Sequence, residues 1–288
     1  MAASPGADVV VQAPAIASDT IARLAAIADP DAIEAIAPRK GATVVAWRLR
    51  GATPGDALRD ACAEAGIDLA VVPRERRWAD VRVVAMDMDS TLITIECIDE
   101  IAAHAGIKDA VAAVTASAMR GEIDFKASLT RRVALLKGLS ADALDSVYRE
   151  RLVLTPGAET LLAAAREVGA RTLLVSGGFT FFTERLRERL GLDATASNVL
   201  EIVDGKLTGR VVGDIVDADR KAAALRAMHE RYAQEGGLVL GVGDGANDLP
   251  MLRVADVSVA YKAKPVVRAQ ATHAIDHGGL DAVLNLFN

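Results

Sequence analysis

The sequence predicts an α/β protein: a doubly wound parallel sheet with a helical cap inserted after its first core strand, preceded by a small α/β unit. Three observations carry this. Short apolar runs at Val81–Met86, Arg171–Val175, Leu238–Val242 and Val257–Ala260 have the length and β-branched content of strands buried on both faces. Helical patterns alternate with them, the order expected of parallel strands joined by crossover helices. The longest interval, roughly residues 94–151, carries helical patterns and no strong strand signal.

The small unit comes first in the chain. A strand at Val9–Gln12 leads to a helix at Asp19–Ile27, with Ser18-Asp19 as its cap. Thr43–Leu49 reads as a second strand, stopped by the breaker Gly51-Ala52-Thr53-Pro54-Gly55. A helix over Asp56–Ala65 and a strand over Ile67–Val72 complete it. This order of elements resembles an ACT-like regulatory domain, which places an accessory unit at 1–76 and the main unit at 77–288. The basic cluster Arg74-Glu75-Arg76-Arg77 reads as a solvated linker between them, so a chain starting near Arg77 is expected to fold by itself.

In the main unit the strand Val81–Met86 is followed by cap helices at Lys108–Arg120, Phe125–Lys137 and Ala141–Glu150. Such a cap lies over the carboxyl ends of the strands, where open α/β sheets bind their ligands. The turn Val203-Asp204-Gly205-Lys206 between β-rich segments predicts a hairpin.

Composition excludes several function classes. A net charge of −6 and 3% aromatic residues leave neither the basic surface nor the stacking platform of a nucleic-acid binder. No apolar run has the length of a membrane span and the N-terminus lacks the pattern of a secretory signal, so a cytoplasmic location is expected. Cys62 and Cys97 form no metal-binding spacing and are expected to be buried free thiols. The four histidines show no ligand spacing either.

The chemistry is concentrated where strands end. Asp87-Met88-Asp89-Ser90-Thr91 puts two carboxylates just past the first core strand, on one face because Met88 alternates away from them. Paired acids there suit metal-assisted phosphoryl transfer, one attacking phosphorus and the other moving protons. A bare D-x-D also fits a solvated acidic turn, and three further features argue against that. Ser176-Gly177-Gly178-Phe179 delivers a hydroxyl and close-approach glycines to a helix start, a phosphate-binding arrangement. Gly243-Asp244-Gly245-Ala246-Asn247-Asp248 follows another apolar strand, with Asp244 placed to bind a divalent cation. Lys221, near the start of the helix leading to Leu238, could neutralise Asp87 against an incoming phosphate.

D-M-D-S-T, S-G-G-F, the lysine and G-D-G-A-N-D occur in the order and approximate spacing of the haloacid dehalogenase phosphatases, which the chain resembles over roughly 81–288. The resemblance implies a Rossmann-like sheet with a cap inserted after its first strand. Within that family, Ile95-Glu96-Cys97-Ile98-Asp99-Glu100-Ile101, Met119-Arg120-Gly121-Glu122-Ile123-Asp124-Phe125 and Ser128-Leu129-Thr130-Arg131-Arg132-Val133 are similar to cap motifs of the phosphoserine phosphatases. Met88 stands where phenylalanine is frequent, an apolar change that should still face the core.

What the resemblance implies is hydrolysis of O-phosphoserine to serine, the last step of serine biosynthesis. Asp87 is then the nucleophile, Asp89 the proton donor and later the base, and Mg2+ is held by Asp87, the Asp89 main-chain carbonyl and Asp244. Ser176, Gly177, Lys221 and Asn247 contact phosphate or steady the intermediate, and Asp248 orients Lys221. Glu96 takes the substrate ammonium and Arg132 its carboxylate, or Arg131 if the match shifts by one position. Met119 and Phe125 wall the pocket. The sequence leaves open transfer to another alcohol, an amino-acid-sensing regulatory role, and a homodimer as against a monomer.

Overall fold

Residues 6–234 and 236–288 are described by the structure, a computed structural model. The first sheet is built from β1 (Ala7–Ala13), α1 (Ser18–Ala28), β2 (Ala32–Ile36), β3 (Val45–Arg50), α2 (Asp56–Glu64) and β4 (Asp68–Pro73). Its strands are antiparallel in the order β2-β3-β1-β4, a ferredoxin-like arrangement. β2 was not foreseen. Its sequence Ala-Ile-Glu-Ala-Ile is an exposed edge strand, without the apolar run or clean alternation that marks a buried one.

β1 is buried along its whole length, and its alternation explains why. Val9 and Val11 pack with Leu24 and Leu58 beneath the unit's own helices. Val10, on the opposite face, joins Val44, Ala70 and Val72 in a core shared with the main unit. Polar contacts cross the same boundary. The buried Asp68 carboxylate accepts from the amides of Asp276 at 2.8 Å and Gly278 at 2.9 Å, and Arg48 donates to the Phe287 carbonyl at 2.9 Å.

The segment expected to be a solvated linker is instead anchored. Arg74 pairs with buried Asp8 at 2.9 Å and Arg76 lies 2.6 Å from His273, while Trp78 is buried and donates its indole N–H to the Ala164 carbonyl. Arg74 and Arg76 have found partners that sequence proximity could not reveal, whereas Arg77 pairs with Asp80 three residues on.

The main unit continues through β5 (Val81–Met86), α3 (Cys97–His104), α4 (Lys108–Met119), α5 (Phe125–Leu135), α6 (Asp142–Glu150), α7 (Ala158–Glu167), β6 (Arg171–Phe179) and α8 (Thr180–Leu190). β7 (Ala194–Val203), β8 (Lys206–Val212), α9 (Ala218–Tyr232), β9 (Leu238–Gly243), β10 (Val257–Tyr261) and β11 (His273–Ile275) follow. The seven strands run in the order β11-β10-β9-β5-β6-β7-β8. All neighbours are parallel except β7 and β8, the foreseen hairpin, whose turn residues Asp204 and Gly205 both have positive φ. The sheet is therefore mixed at one edge, because a short turn can join only antiparallel strands.

β5 lies mid-sheet with both faces covered. Val84 and Met86 face the core shared with the first unit and α7, whereas Val83 and Ala85 pack toward Leu225 and Met251. This centres Asp87 over the sheet's carboxyl edge. The helices α3 to α6 form the cap, tied down by backbone bonds from the loop before α6 to the hairpin: Gly138 to Leu207 at 2.8 Å and Ala141 to Gly205 at 2.8 Å. Both cysteines are buried free thiols. Among the described residues no helix is long and apolar enough to cross a membrane.

Candidate active site

Three strand ends meet beneath the cap. The chain leaves β5 at Asp87, whose amide donates to the Val242 carbonyl of β9 at 3.0 Å and whose Oδ1 accepts from the Met88 amide at 2.7 Å. Met88 is buried, as its alternation requires, and Asp87 and Asp89 both line a cavity of about 350 Å3. From the turn after β9 come Asp244, Asn247 and Asp248; from α9 comes Lys221.

Lys221 is 1% exposed, and its Nζ lies 2.8 Å from Asp87 Oδ1 and 2.7 Å from Asp248 Oδ1. Burial works against its charge, but Asp248 and Asp87 together raise its pKa. Asp248 Oδ2 also accepts from the Gly245 amide at 2.9 Å, so both of its oxygens are committed. The lysine is thus held by Asp248 and presented to Asp87. Burial and then Asp248 press the Asp87 carboxyl upward, and Lys221 opposes them.

Asp89 Oδ1 accepts from the Cys97 amide at the start of α3, at 3.0 Å. Burial, then the charge of Glu96, pushes its carboxyl up to about 7. Asp244 is pushed up to about 6 by burial and then by Asp248, and it accepts from the Thr91 hydroxyl at 3.1 Å. One carboxylate oxygen each of Asp87, Asp244 and Asp248 falls within 4.8 Å of the others. This crowding of hard oxygen donors, with acids titrating abnormally high, fits a divalent cation such as Mg2+. Since Asp248 is occupied by Lys221 and Gly245, Asp87 and Asp244 are the side chains left to hold one.

The cap supplies the opposite wall. Glu96, Ile98, Asp99, Thr115, Met119, Phe125, Leu129 and Arg132 all line the cavity. Arg132 Nε is buried without a hydrogen-bond partner among the described residues. Such a group suits a planar carboxylate brought by a ligand. Burial lowers the Arg132 pKa, with Asp99 and Glu96 acting the other way. Met119 is 71% exposed, so it sits at the mouth, while Phe125 covers Gly177: a Cβ there would fall 2.9 Å from the Phe125 ring.

The motif residues thus converge, with one difference in detail. Gly177 lines the cavity, but Ser176 lies fully buried behind it, with Oγ accepting from the Gly178 amide at 2.8 Å. Gly178 in turn packs so closely on Asp89 that a Cβ would fall 2.9 Å from Oδ2.

The sequence motifs assign no role to several supporting groups. Asn198 braces the glycine turn, donating to the Gly177 carbonyl and accepting from the Val216 amide, each at 2.8 Å. Thr91, inside the first motif, donates to Asp244, and Thr155 donates to the Thr91 carbonyl at 2.6 Å. Asp99 follows Glu96 by three positions, a spacing that brings residues to one face of a helix. Lys264 stands beyond the end of β10, at the same sheet edge as the other motifs, and its amide donates to the Asp244 carbonyl at 3.3 Å.

Comparison with known proteins agrees with this geometry. The family model of the haloacid dehalogenase-like hydrolases matches residues 84–253. A phosphoserine phosphatase of Polaromonas sp. (strain JS666) is 53% identical over 226 residues, covering 77% of this chain and 96% of that protein. The solved structure of a probable phosphoserine phosphatase from Vibrio cholerae has a TM-score of 0.81 at 35% identity, covering 97% of this chain and 85% of that one. A phosphoserine phosphatase solved as a phospho-aspartyl intermediate analogue has a TM-score of 0.66 at 35% identity, covering 72% of this chain and 99% of that one. The chain belongs to the haloacid dehalogenase-like hydrolases, in their phosphoserine phosphatase branch.

Proposed function

We propose that the protein is a Mg2+-dependent phosphatase that hydrolyses O-phospho-L-serine to L-serine and phosphate, the last step of serine biosynthesis, through an aspartyl-phosphate on Asp87. The observation that carries this reading is one juxtaposition. A nucleophile held by Lys221 faces a cavity whose far wall offers a carboxylate, Glu96, and the guanidinium of Arg132, whose Nε has no hydrogen-bond partner among the described residues. Phosphoserine brings the complementary groups: phosphate for the sheet end, ammonium for Glu96 and carboxylate for Arg132.

In the first step an Asp87 carboxylate oxygen attacks phosphorus as the bond to the serine oxygen breaks. Asp89, whose pKa near 7 keeps much of it protonated at neutral pH, gives its proton to the departing alkoxide. Water then attacks the phosphorus of the aspartyl-phosphate, losing a proton to Asp89 and restoring Asp87. Lys221, fixed by Asp248, offsets the repulsion between Asp87 and the incoming phosphate. Asn247 and the Gly177 turn offer further contacts to phosphate, and the Ser176 O–H, which its acceptor bond does not consume, is free to donate. Mg2+, held by Asp87, Asp244 and the Asp89 main-chain carbonyl, would supply charge neutralisation at the transferring phosphoryl group.

Phosphate release from a panel of phosphorylated amino acids and sugars, with and without Mg2+, tests the reading. Phosphoserine should give the highest kcat/KM, and chelation should abolish turnover. A phosphorylated sugar as the best substrate, or full activity in excess chelator, contradicts it. We further propose that residues 1–76 form an ACT-like accessory unit and residues 77–288 the phosphatase, with its cap at about 94–151; the ferredoxin-like order of the first sheet supports the former.

A further inference from the structure

The backbone at Ser90 is not accounted for by the chemistry above. Its φ of +56° and ψ of 2° place it in the left-handed region, which glycine enters freely and other residues enter against a steric cost. The other described non-glycine residues with positive φ include Asp29 at a helix end and Asp204 in the hairpin turn, where that conformation is routine. Ser90 instead lies between the nucleophile strand and the cap. A serine in such a place, rather than glycine, implies a use for its hydroxyl.

That hydroxyl donates to Glu96 Oε1 at 2.8 Å. The Ser90 amide also donates to the Ile95 carbonyl, at 3.2 Å, so this residue grips the strand of chain entering α3 through both backbone and side chain. Glu96 occupies the N-cap of α3, yet its carboxylate makes no capping bond to the helix. It is exposed on the cavity wall, where an unrestrained glutamate samples many rotamers. The Ser90 bond engages one carboxylate oxygen and leaves the other.

We propose that Ser90 is a positioning residue for substrate selection: its hydroxyl fixes the Glu96 carboxylate for the ammonium of the substrate. Selectivity for amino-bearing phosphate esters then depends on a side chain in the nucleophile loop that does not itself touch the ammonium. This rests on the reading of the cavity as a phosphoserine site.

Ser90→Gly tests it, because glycine suits the left-handed backbone while the hydroxymethyl side chain, and with it the bond to Glu96, is lost. The KM for phosphoserine should rise about fivefold or more, with kcat falling much less. The loss in kcat/KM on 4-nitrophenyl phosphate, which has no ammonium, should be at least fivefold smaller. The Tm should not fall. In a Glu96→Gln background, Ser90→Gly should add less than a twofold further loss, since both changes remove the same contact. Equal losses on the two substrates, or fully additive losses in the double variant, would overturn the positioning role. A wild-type enzyme with no preference for phosphoserine over the aryl phosphate would instead defeat the functional reading on which it rests.

Discussion

At the residue scale, the site divides, as proposed, into groups that would handle phosphate and groups that would recognise the rest of the substrate. Asp87, Asp89, Asp244 and Lys221 stand at the sheet edge, whereas Glu96 and Arg132 stand on the cap. Removing Arg132 should therefore separate binding from chemistry. Arg132→Ala is expected to raise the KM for phosphoserine by roughly 10- to 100-fold, the loss of a charge-assisted bond worth about 1.5–3 kcal/mol, while kcat falls far less. Steady-state kinetics decide this, and an equal loss on an aryl phosphate would assign Arg132 a structural role. The aspartates proposed as nucleophile, acid and metal ligands, whose convergence the structure shows, were legible because they closely follow apolar strands. Arg132 was legible only through resemblance to known cap motifs, since a lone arginine in a helix carries no local signal. The buried orientation of Ser176 could not be read, because a strand pattern does not say which way a turn residue faces after the strand ends.

At the scale of elements, the joint between β11 and the segment after β4 has a pH dependence of its own. His273 of β11 is buried against Arg76, and burial, with the nearby guanidinium, lowers its pKa from 6.5 to about 4. A base whose folded pKa is depressed is held neutral in the native state and charges freely when unfolded. Its stabilisation is present above pH 6.5 and is lost as pH falls toward 4. Between pH 7 and pH 5 this amounts to about 2 kcal/mol. Urea denaturation at the two pH values should show that loss, and His273→Gln should remove most of it. An unchanged pH slope in the variant would mean that other groups carry the acid sensitivity. β11 itself was missed in the sequence because three residues are too few for a pattern; it is the edge strand, paired with β10, and Arg76 lies against its buried His273. β2 was missed for the opposite reason, being exposed and rich in alanine. The long buried strands β5, β6, β9 and β10 were visible because each needs a continuous apolar run.

For the whole molecule, the decisive feature is that the two units share one core. The sequence alone leads one to expect that a chain starting near Arg77 folds independently. The packing predicts a cost: Val10, Val44 and Val72 lose their places in that core, at roughly 1.5–2 kcal/mol each. Removing residues 1–76 should lower Tm by roughly 10 °C or more, or leave the product insoluble. Thermal melting of the truncated chain checks this, and near-normal Tm and kcat/KM would restore the modular view. The same folding brings together groups from distant parts of the chain, for Lys221 and Asp248 meet Asp87 only in the finished sheet. Whether this assembly makes Asp87 a nucleophile is decided by quenching the enzyme during turnover of phosphoserine with Mg2+, reducing with borohydride and mapping the peptides. Homoserine is expected at position 87, formed from the aspartyl-phosphate, and none in Asp87→Asn, which should be folded and inactive. A phosphoryl group on Ser90 or Ser176, or turnover by Asp87→Asn, would contradict it.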